Sequence, residues 1–269
     1  MNAVSFRDLI AAEWLKMWSL RSTPWAYLVT ALAVIGFNAG EAYNTYHYWN
    51  ERNVGSHARQ YIRDGIPVQS AFTNNASLVF ALATVAIGIV AISSEYSTGQ
   101  IRTTFTAVPA RRSLMAAKLA VTAIVMTVFG AVVALVSFYT TQAILGLRDV
   151  GVPINHPGAL RAILASALLA PVCAVVGMAI GAVLRHAGTS MVAGVVILLL
   201  APFLFSEDHH WSAILNHTLP MSAWNRLMEI PFTPQIPYPW TSTGAWIVYA
   251  AWALGAVAVA CTVVQRQDQ

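Results

Sequence analysis

The chain has 269 residues, of which 57% are hydrophobic and only 10% are charged, and its mean hydropathy is +0.60. Soluble domains are about one quarter charged, so this composition excludes an ordinary soluble domain. The net charge of +4 comes from basic residues placed between long uncharged stretches, which favours a role in membrane topology over nucleic-acid binding. The two cysteines, Cys173 and Cys261, lie in apolar stretches and indicate no disulfide or zinc framework.

The first predicted element is an amphipathic helix over residues 4–20. Apolar side chains recur there at helical spacing, namely Phe6, Leu9, Ile10, Trp14 and Met17. The opposite side contains Ser5, Asp8, Ala12, Lys16 and Ser19. Such a helix lies in the membrane interface rather than crossing it. A cytoplasmic helix that packs on a partner is the alternative.

Six long uncharged stretches follow, and each can hold one membrane crossing, which needs roughly 20 residues. We predict transmembrane helices at about 24–44, 72–94, 113–147, 159–184, 189–205 and 243–264, and we expect Pro202 to interrupt the fifth near its outer end. The third is longer than the bilayer and should tilt or protrude. The fold class is therefore an all-α integral membrane protein, with residues 1–269 forming one transmembrane domain.

The charged residues predict the orientation of these helices. Six crossings place both termini on the same side of the membrane. With the termini in the cytoplasm, nine basic residues fall inside and six outside, whereas most acidic residues fall outside. Basic residues near the ends of spans favour the cytoplasmic side, so we predict cytoplasmic termini.

Residues 207–242 form a large outer segment before the sixth span. It is rich in proline and tryptophan, including Pro220, Pro231, Pro234, Trp211, Trp224 and Trp240. This mixture predicts elements that dip into the outer leaflet, where irregular backbone must be shielded by protein or face water. The histidines and carboxylates near its start are metal-ligand types, but adjacent histidines point apart on a helix, so we expect a hydrated loop without a metal.

Residues 95–112 form the one strongly polar segment between two long apolar runs. Gly99 can end the second span, and Pro109 cannot continue a helix beyond its own first turn. About two helical turns fit between them, which predicts a short cytoplasmic helix carrying Arg102. Glu95 lies at the inner mouth of the second span, where a carboxylate costs less than at the bilayer centre. The alternative is a plain loop whose basic residues only fix topology.

The motifs of this segment resemble those of the permease subunits of ABC-2 type transporters. The string is Glu95-x-x-x-Gly99, then Ile101-Arg102-Thr103-Thr104, then Pro109-x-Arg111-Arg112 and Lys118. In that family a glutamate and a glycine end the second span, and a proline, basic residues and a lysine open the third. The N-terminal Glu13-Trp14-x-Lys16 resembles the family's opening as well. Gln100 departs from the family, because many members have threonine there.

This resemblance implies the permease subunit of an ATP-driven exporter of the bacterial plasma membrane. The chain has no G-x-x-x-x-G-K-[ST] phosphate loop, so ATP and magnesium would bind to two separate ATPase subunits and not to this chain. Two permease chains, identical or homologous, would form a path lined by spans one, two and five for an amphiphilic, peptide or lipid-like substrate. The implied contacts to the ATPase are Glu95, Gly99, Gln100, Arg102, Thr103, Pro109, Arg111 and Arg112.

Three other classes of function are alternatives to the permease. An intramembrane enzyme or a secondary transporter needs ionisable or nucleophilic groups within the spans, and the predicted spans hold no acid or base near mid-depth and no G-x-S-x-G elbow. A non-transporting immunity or anchor protein stays open. The motifs Gly36-x-x-x-Gly40 and Gly177-x-x-x-Gly181 allow close helix approach. They can join two chains or pack within one, and we expect packing within the chain.

Overall fold

A computed structural model describes residues 5–19, 22–48, 56–99, 111–205, 209–229 and 238–265 of the chain. These residues form helices joined by turns, and none of them lies in a strand. The N-terminal helix is Phe6–Ser19. The long helices, named here spans one to four and span six, are Ser22–Tyr48, Asn74–Ser97, Arg111–Gly146, Ala159–Leu184 and Ser242–Gln265. Span five comprises Ala187–Val195, Val196–Leu200 and Ala201–Leu204.

The prediction of six membrane-spanning helices is confirmed. Among the described residues, six helices are long and apolar enough to cross a bilayer. Span three has 36 residues and is therefore about 54 Å long, which exceeds the hydrocarbon thickness as expected. The cytoplasmic helix predicted between spans two and three falls on residues 100–110, which lie outside the described residues.

Local sequence signals fix both ends of span two. The Thr73 hydroxyl accepts a hydrogen bond from the Ala76 backbone N–H at 3.2 Å, which caps the first turn. The helix ends at Ser97, and Gly99 follows with a φ of +71°, a left-handed conformation that suits glycine. The predicted end at Gly99 is therefore present.

Span four forms the centre of the bundle, and glycines bring its neighbours close. A Cβ atom added at Gly88 of span two would lie 2.0 Å from the Ala174 carbonyl oxygen, and one at Gly130 of span three would lie 2.1 Å from that of Ala167. Gly177 of span four meets Val85 in the same way, at 2.2 Å. Small residues thus allow backbone-to-backbone packing in the absence of a strong hydrophobic driving force.

The two glycine motifs behave differently in the structure. Gly177 and Gly181 pack on Val85 and Ile89 of span two, so this motif serves packing within the chain as expected. Gly36 and Gly40 of span one have no described atom within 4 Å of an added Cβ. The expectation of packing within the chain is therefore wrong for Gly36-x-x-x-Gly40, because no described helix packs against these glycines.

Span five departs from regular α-helix one turn earlier than the sequence suggested. Residues Val196–Leu200 form a π-helical turn, and Pro202 lies just beyond it in a final short helix. Proline has no backbone N–H and its ring crowds the carbonyl of the fourth preceding residue, which here is Leu198. The wider turn accommodates this clash, so the irregularity precedes the proline.

Short helices cover the end of the bundle opposite the N-terminal helix. They are Ser56–Arg63, Ile66–Ser70, His210–His217 and Pro220–Met228. The last packs on spans four and six, and its Trp224 is fully buried and donates from Nε1 to the Ser166 hydroxyl at 3.1 Å. Part of the predicted outer segment, 207–242, is therefore helical and packed into the bundle.

Asn38 joins three elements near this end. It lies in span one, is buried, and donates from Nδ2 to the Ser137 hydroxyl of span three at 3.2 Å. Its Oδ1 accepts from both the backbone N–H and the hydroxyl of Thr73, each at 3.0 Å. One amide side chain thus supplies hydrogen-bond partners to polar groups at the start of span two and in the interior of span three.

We predict that Asn38→Leu lowers the stability of the protein by about 1–3 kcal/mol, because it leaves these buried polar groups without a partner. The matched control is Asn44→Leu on the same helix, where the side chain is exposed. Thermal unfolding of the purified chain in detergent measures both variants. Equal unfolding temperatures for Asn38→Leu and Asn44→Leu would contradict the role of Asn38.

Candidate functional site

The N-terminal helix is held against the start of span three. Leu9 is buried and packs with Leu114 and Ala117. Phe6 and Trp14, predicted on the same apolar side, are each 46% exposed, whereas Glu13 is buried. The helix therefore contacts the bundle through the Leu9 and Glu13 side and presents aromatic side chains outward, a surface that suits the membrane interface.

Four charged side chains, Glu13, Lys16, Glu95 and Lys118, meet where this helix reaches spans two and three. Lys118 Nζ donates to Glu95 Oε1 at 2.6 Å and to Glu13 Oε2, and Lys16 Nζ donates to the same oxygen of Glu95. We call these four residues the ionic cluster. It contains two carboxylates and two ammonium groups, so its formal charges cancel.

The members of the ionic cluster differ in exposure. The side chains of Glu13, Glu95 and Lys118 are only 7–8% exposed, whereas that of Lys16 is 35% exposed. Removing charges from water is costly, and pairing offsets that cost only when each charge has partners in good geometry. Lys118 supplies such partners to two carboxylates from two other helices, so it is the central residue of the cluster.

Aromatic rings add a second connection between the same elements. The rings of Trp18 and Tyr27 lie 6.3 Å apart between centroids, and Tyr27 meets Phe129 edge-to-face at 4.9 Å. The N-terminal helix is thereby joined to span one and, through it, to span three. Movement of this helix relative to the bundle must break both the ring contacts and the ionic cluster.

A cavity of about 640 Å³ opens beside the ionic cluster. The four charged residues stand at one end, and the remaining wall is mostly apolar. Its lining comes from the N-terminal helix and spans one, two and three, with residues that include Trp25, Ala26, Val29, Ala83, Ile87 and Val90.

The predicted contact residues differ in burial and in position, and some of them lie outside the described residues. Glu95 is buried in the ionic cluster, Gly99 follows the end of span two, and Arg112 is exposed in the first turn of span three. Arg111 begins span three. The remaining predicted contacts, Gln100, Arg102, Thr103 and Pro109, lie outside the described residues.

Sequence reasoning did not predict that Glu13 and Lys16 would pair with Glu95 and Lys118. One signal was available, because Lys118 lies seven residues inside a helix bordered by an apolar run, and a charge in such a place needs a partner. The partners themselves were hidden, since Glu13 is 105 residues away in sequence and Glu95 is 23 away.

In the part of the chain that the structure describes, no three histidine, cysteine or acidic side chains converge as metal ligands would. This holds for the described residues of the outer segment as well. Glu207 and Asp208 lie outside that part. The imidazole of His217 stacks on the ring of Trp240 at 4.5 Å between centroids, and His210 meets Tyr238 edge-to-face at 5.3 Å. These histidines pack against aromatic rings.

The six described helices that are long and apolar enough to cross a bilayer define a multi-pass membrane protein. The family model described as ABC-2 family transporter protein matches residues 9–204, and the chain belongs to this family. The match includes the ionic cluster and spans one to five. A comparison with curated proteins found no match. The chain is thus a membrane component of an ABC transporter.

Proposed function

We propose that this chain is the permease subunit of an ATP-driven exporter and that residues 95–112 are its contact with separate ATPase subunits. The observation that supports the proposal is the ionic cluster, which lies where spans two and three flank this segment. Glu95 at the end of span two and Lys118 near the start of span three are ion-paired to each other and to the N-terminal helix. A force applied between them would therefore reach three helices at once.

In this proposal the residues of the segment 95–112 have two kinds of role. The contact zone itself consists of Gly99, Gln100, Arg102, Thr103, Pro109, Arg111 and Arg112. Glu95 is a positioning residue, because its carboxylate is buried and engaged by two lysines. It acts by fixing the ends of spans two and three, which sets the direction in which the contact zone points.

Energy coupling requires two conformations that the ATPase contacts with different affinity. ATP and magnesium bind to the partner ATPase in this proposal, and this chain supplies the helices that move. Two permease chains, the same or homologous, form the path between them in the bacterial plasma membrane with cytoplasmic termini. The cargo class is an amphiphilic, peptide or lipid-like molecule moved outward.

The charge distribution of the spans favours this function over a secondary transporter. Within the described spans, each charged side chain lies within about two turns of a helix end, with Lys118 and Glu41 the deepest. Ion-coupled transport normally uses an ionisable residue at mid-depth. An immunity or anchor protein would have no need to stimulate an ATPase. The rate of ATP hydrolysis with and without this chain therefore distinguishes that alternative from a permease.

We predict that Glu95→Ala and Arg102→Glu both abolish the stimulation of ATP hydrolysis by this chain while leaving it inserted in the membrane. The measurement is the hydrolysis rate of the ATPase subunit in liposomes with and without the chain. Arg102→Glu should also weaken co-purification of the two subunits, whereas Glu95→Ala should not. This difference separates a contact residue from a positioning residue.

The control for charge reversal is Arg59→Glu, because Arg59 is exposed at the opposite end of the bundle. This variant should stimulate hydrolysis normally. Glu95→Asp keeps the carboxylate and should restore part of the stimulation. Full stimulation by both Glu95→Ala and Arg102→Glu would count against the proposed contact.

A further inference from the structure

The cavity beside the ionic cluster has one polar end and one apolar body. Its polar end holds the ionic cluster and the hydroxyls of Ser22, Thr23 and Ser94. Its body follows span one from Ser22 to Thr30, a length of about 12 Å. A volume of about 640 Å³ lies within the range of about 300–1,000 Å³ that holds small-molecule ligands. The shape matches an amphiphile with a headgroup and one apolar chain.

The polar end favours an anionic headgroup over a cationic one. Lys16 is the most exposed member of the cluster, although only partly so, whereas both carboxylates are buried against lysines. An ammonium group has three N–H donors, and within the described part of the chain Lys16 uses one of them, on Glu95. The first turn of span one also faces the cavity through Ser22 and Thr23, and the amides of a first helical turn attract negative charge.

The depth of the cavity in the membrane fits the same ligand. Trp25 lines the cavity, and Trp18 packs on Tyr27, another lining residue. The two tryptophans are 66% and 46% exposed. Exposed tryptophans of a membrane protein lie at the level of the lipid headgroups. The polar end is then at headgroup depth, and the apolar body points toward the bilayer interior.

We propose that this cavity binds an acidic amphiphile, with its anionic headgroup on Lys16 and its apolar chain along spans one and two. The site lies within one chain between the N-terminal helix and spans one to three, so it does not require a second permease. It goes beyond the coupling role proposed above and can be tested without an ATPase.

Binding of lysophosphatidylglycerol to the purified full chain, compared with lysophosphatidylcholine of the same acyl length, tests the headgroup. We expect the acidic amphiphile to bind at least about tenfold more tightly, because the zwitterion carries the same phosphodiester but adds a choline cation, which is repelled by the ammonium group of Lys16. Lys16→Gln should remove that preference and Lys16→Arg should keep it. Arg7→Gln is the control, because it removes an exposed positive charge from the same helix outside the cavity.

A second variant tests the apolar body and leaves the ionic cluster intact. Ala83→Leu adds volume inside the cavity and should weaken lysophosphatidylglycerol binding at least about tenfold. Ala250→Leu makes the same change on an exposed surface of span six and should have no effect. Equal binding of the two amphiphiles to the wild type, or unchanged binding in both Lys16→Gln and Ala83→Leu, would overturn the proposal.

Two further arms identify the source of the anion. Inorganic phosphate should bind far more weakly than lysophosphatidylglycerol, because it lacks the apolar chain, and equal affinity of the two would overturn the role of the apolar body. With the ATPase and ATP present, loss of the bound amphiphile identifies it as cargo, and retention identifies it as a resident lipid. Both results support the site, because binding itself is measured on the chain without the ATPase.

Discussion

Lys118→Met is expected to destabilise the protein by about 3–5 kcal/mol, because among the described residues it leaves buried Glu13 without an ion-pair partner and buried Glu95 with only the partly exposed Lys16. The long apolar side chain of methionine keeps most of the volume of lysine, so the loss reports charge and hydrogen bonding rather than a cavity. The N-terminal helix should detach from span three as a result. Thermal unfolding in detergent and protease sensitivity of residues 5–19 measure the two effects.

Removal of the stranded charges should reverse this loss. The triple variant Lys118→Met, Glu13→Gln, Glu95→Gln is expected to recover most of the stability, because neutral amides are less costly to bury than unpaired carboxylates. Arg112→Met is the control for loss of a positive charge, since Arg112 is exposed in the same helix. If Lys118→Met unfolds at the same temperature as Arg112→Met, the ionic cluster does not hold the N-terminal helix.

Gly88→Ala is expected to cost about 3 kcal/mol or more and to reduce the yield of folded protein. The added methyl group would lie 2.0 Å from the Ala174 carbonyl oxygen, a contact that only a shift of span two or span four can relieve. Overpacking typically costs about 1–3 kcal/mol when side chains can move, and here the obstacle is backbone. Gly130→Ala should behave alike, because its methyl group would meet the Ala167 carbonyl oxygen at 2.1 Å.

The matched control is Gly36→Ala in span one, where no described atom lies within 4 Å of the added methyl group. Alanine has the higher helix propensity, so this variant should be neutral or slightly more stable. Size-exclusion profiles and unfolding temperatures in detergent compare the variants. Normal folding of Gly88→Ala would show that spans two and four do not cross as closely as described.

The number and place of the spans could be predicted because each depends on a local property of the sequence. A run of about 20 uncharged residues is a membrane span whatever its neighbours are, and Gly99 ends a helix by its own conformational freedom. The π-helical turn before Pro202 was missed, because the proline acts on the carbonyl of Leu198, one turn upstream of the residue that the sequence marks.

The ionic cluster could not be predicted in the same way, because its members come from three separate helices. Helical spacing predicted that Lys16 lies on a polar side of the N-terminal helix, but it could not identify Glu95, 79 residues away, as its partner. Glu95 was predicted as a contact residue from the family resemblance, with which its place at the end of a span agrees. Burial of its carboxylate, which only the packed bundle creates, leads to the positioning role proposed above.

The most direct test of the central claim is the accessibility of a single cysteine at position 102. Arg102→Cys, in a chain whose Cys173 and Cys261 are replaced by alanine, is labelled with a membrane-impermeant maleimide in oriented vesicles. The account predicts labelling from the cytoplasmic face and protection when the ATPase subunit is bound. Labelling from the outer face, or labelling that the ATPase leaves unchanged, would contradict it.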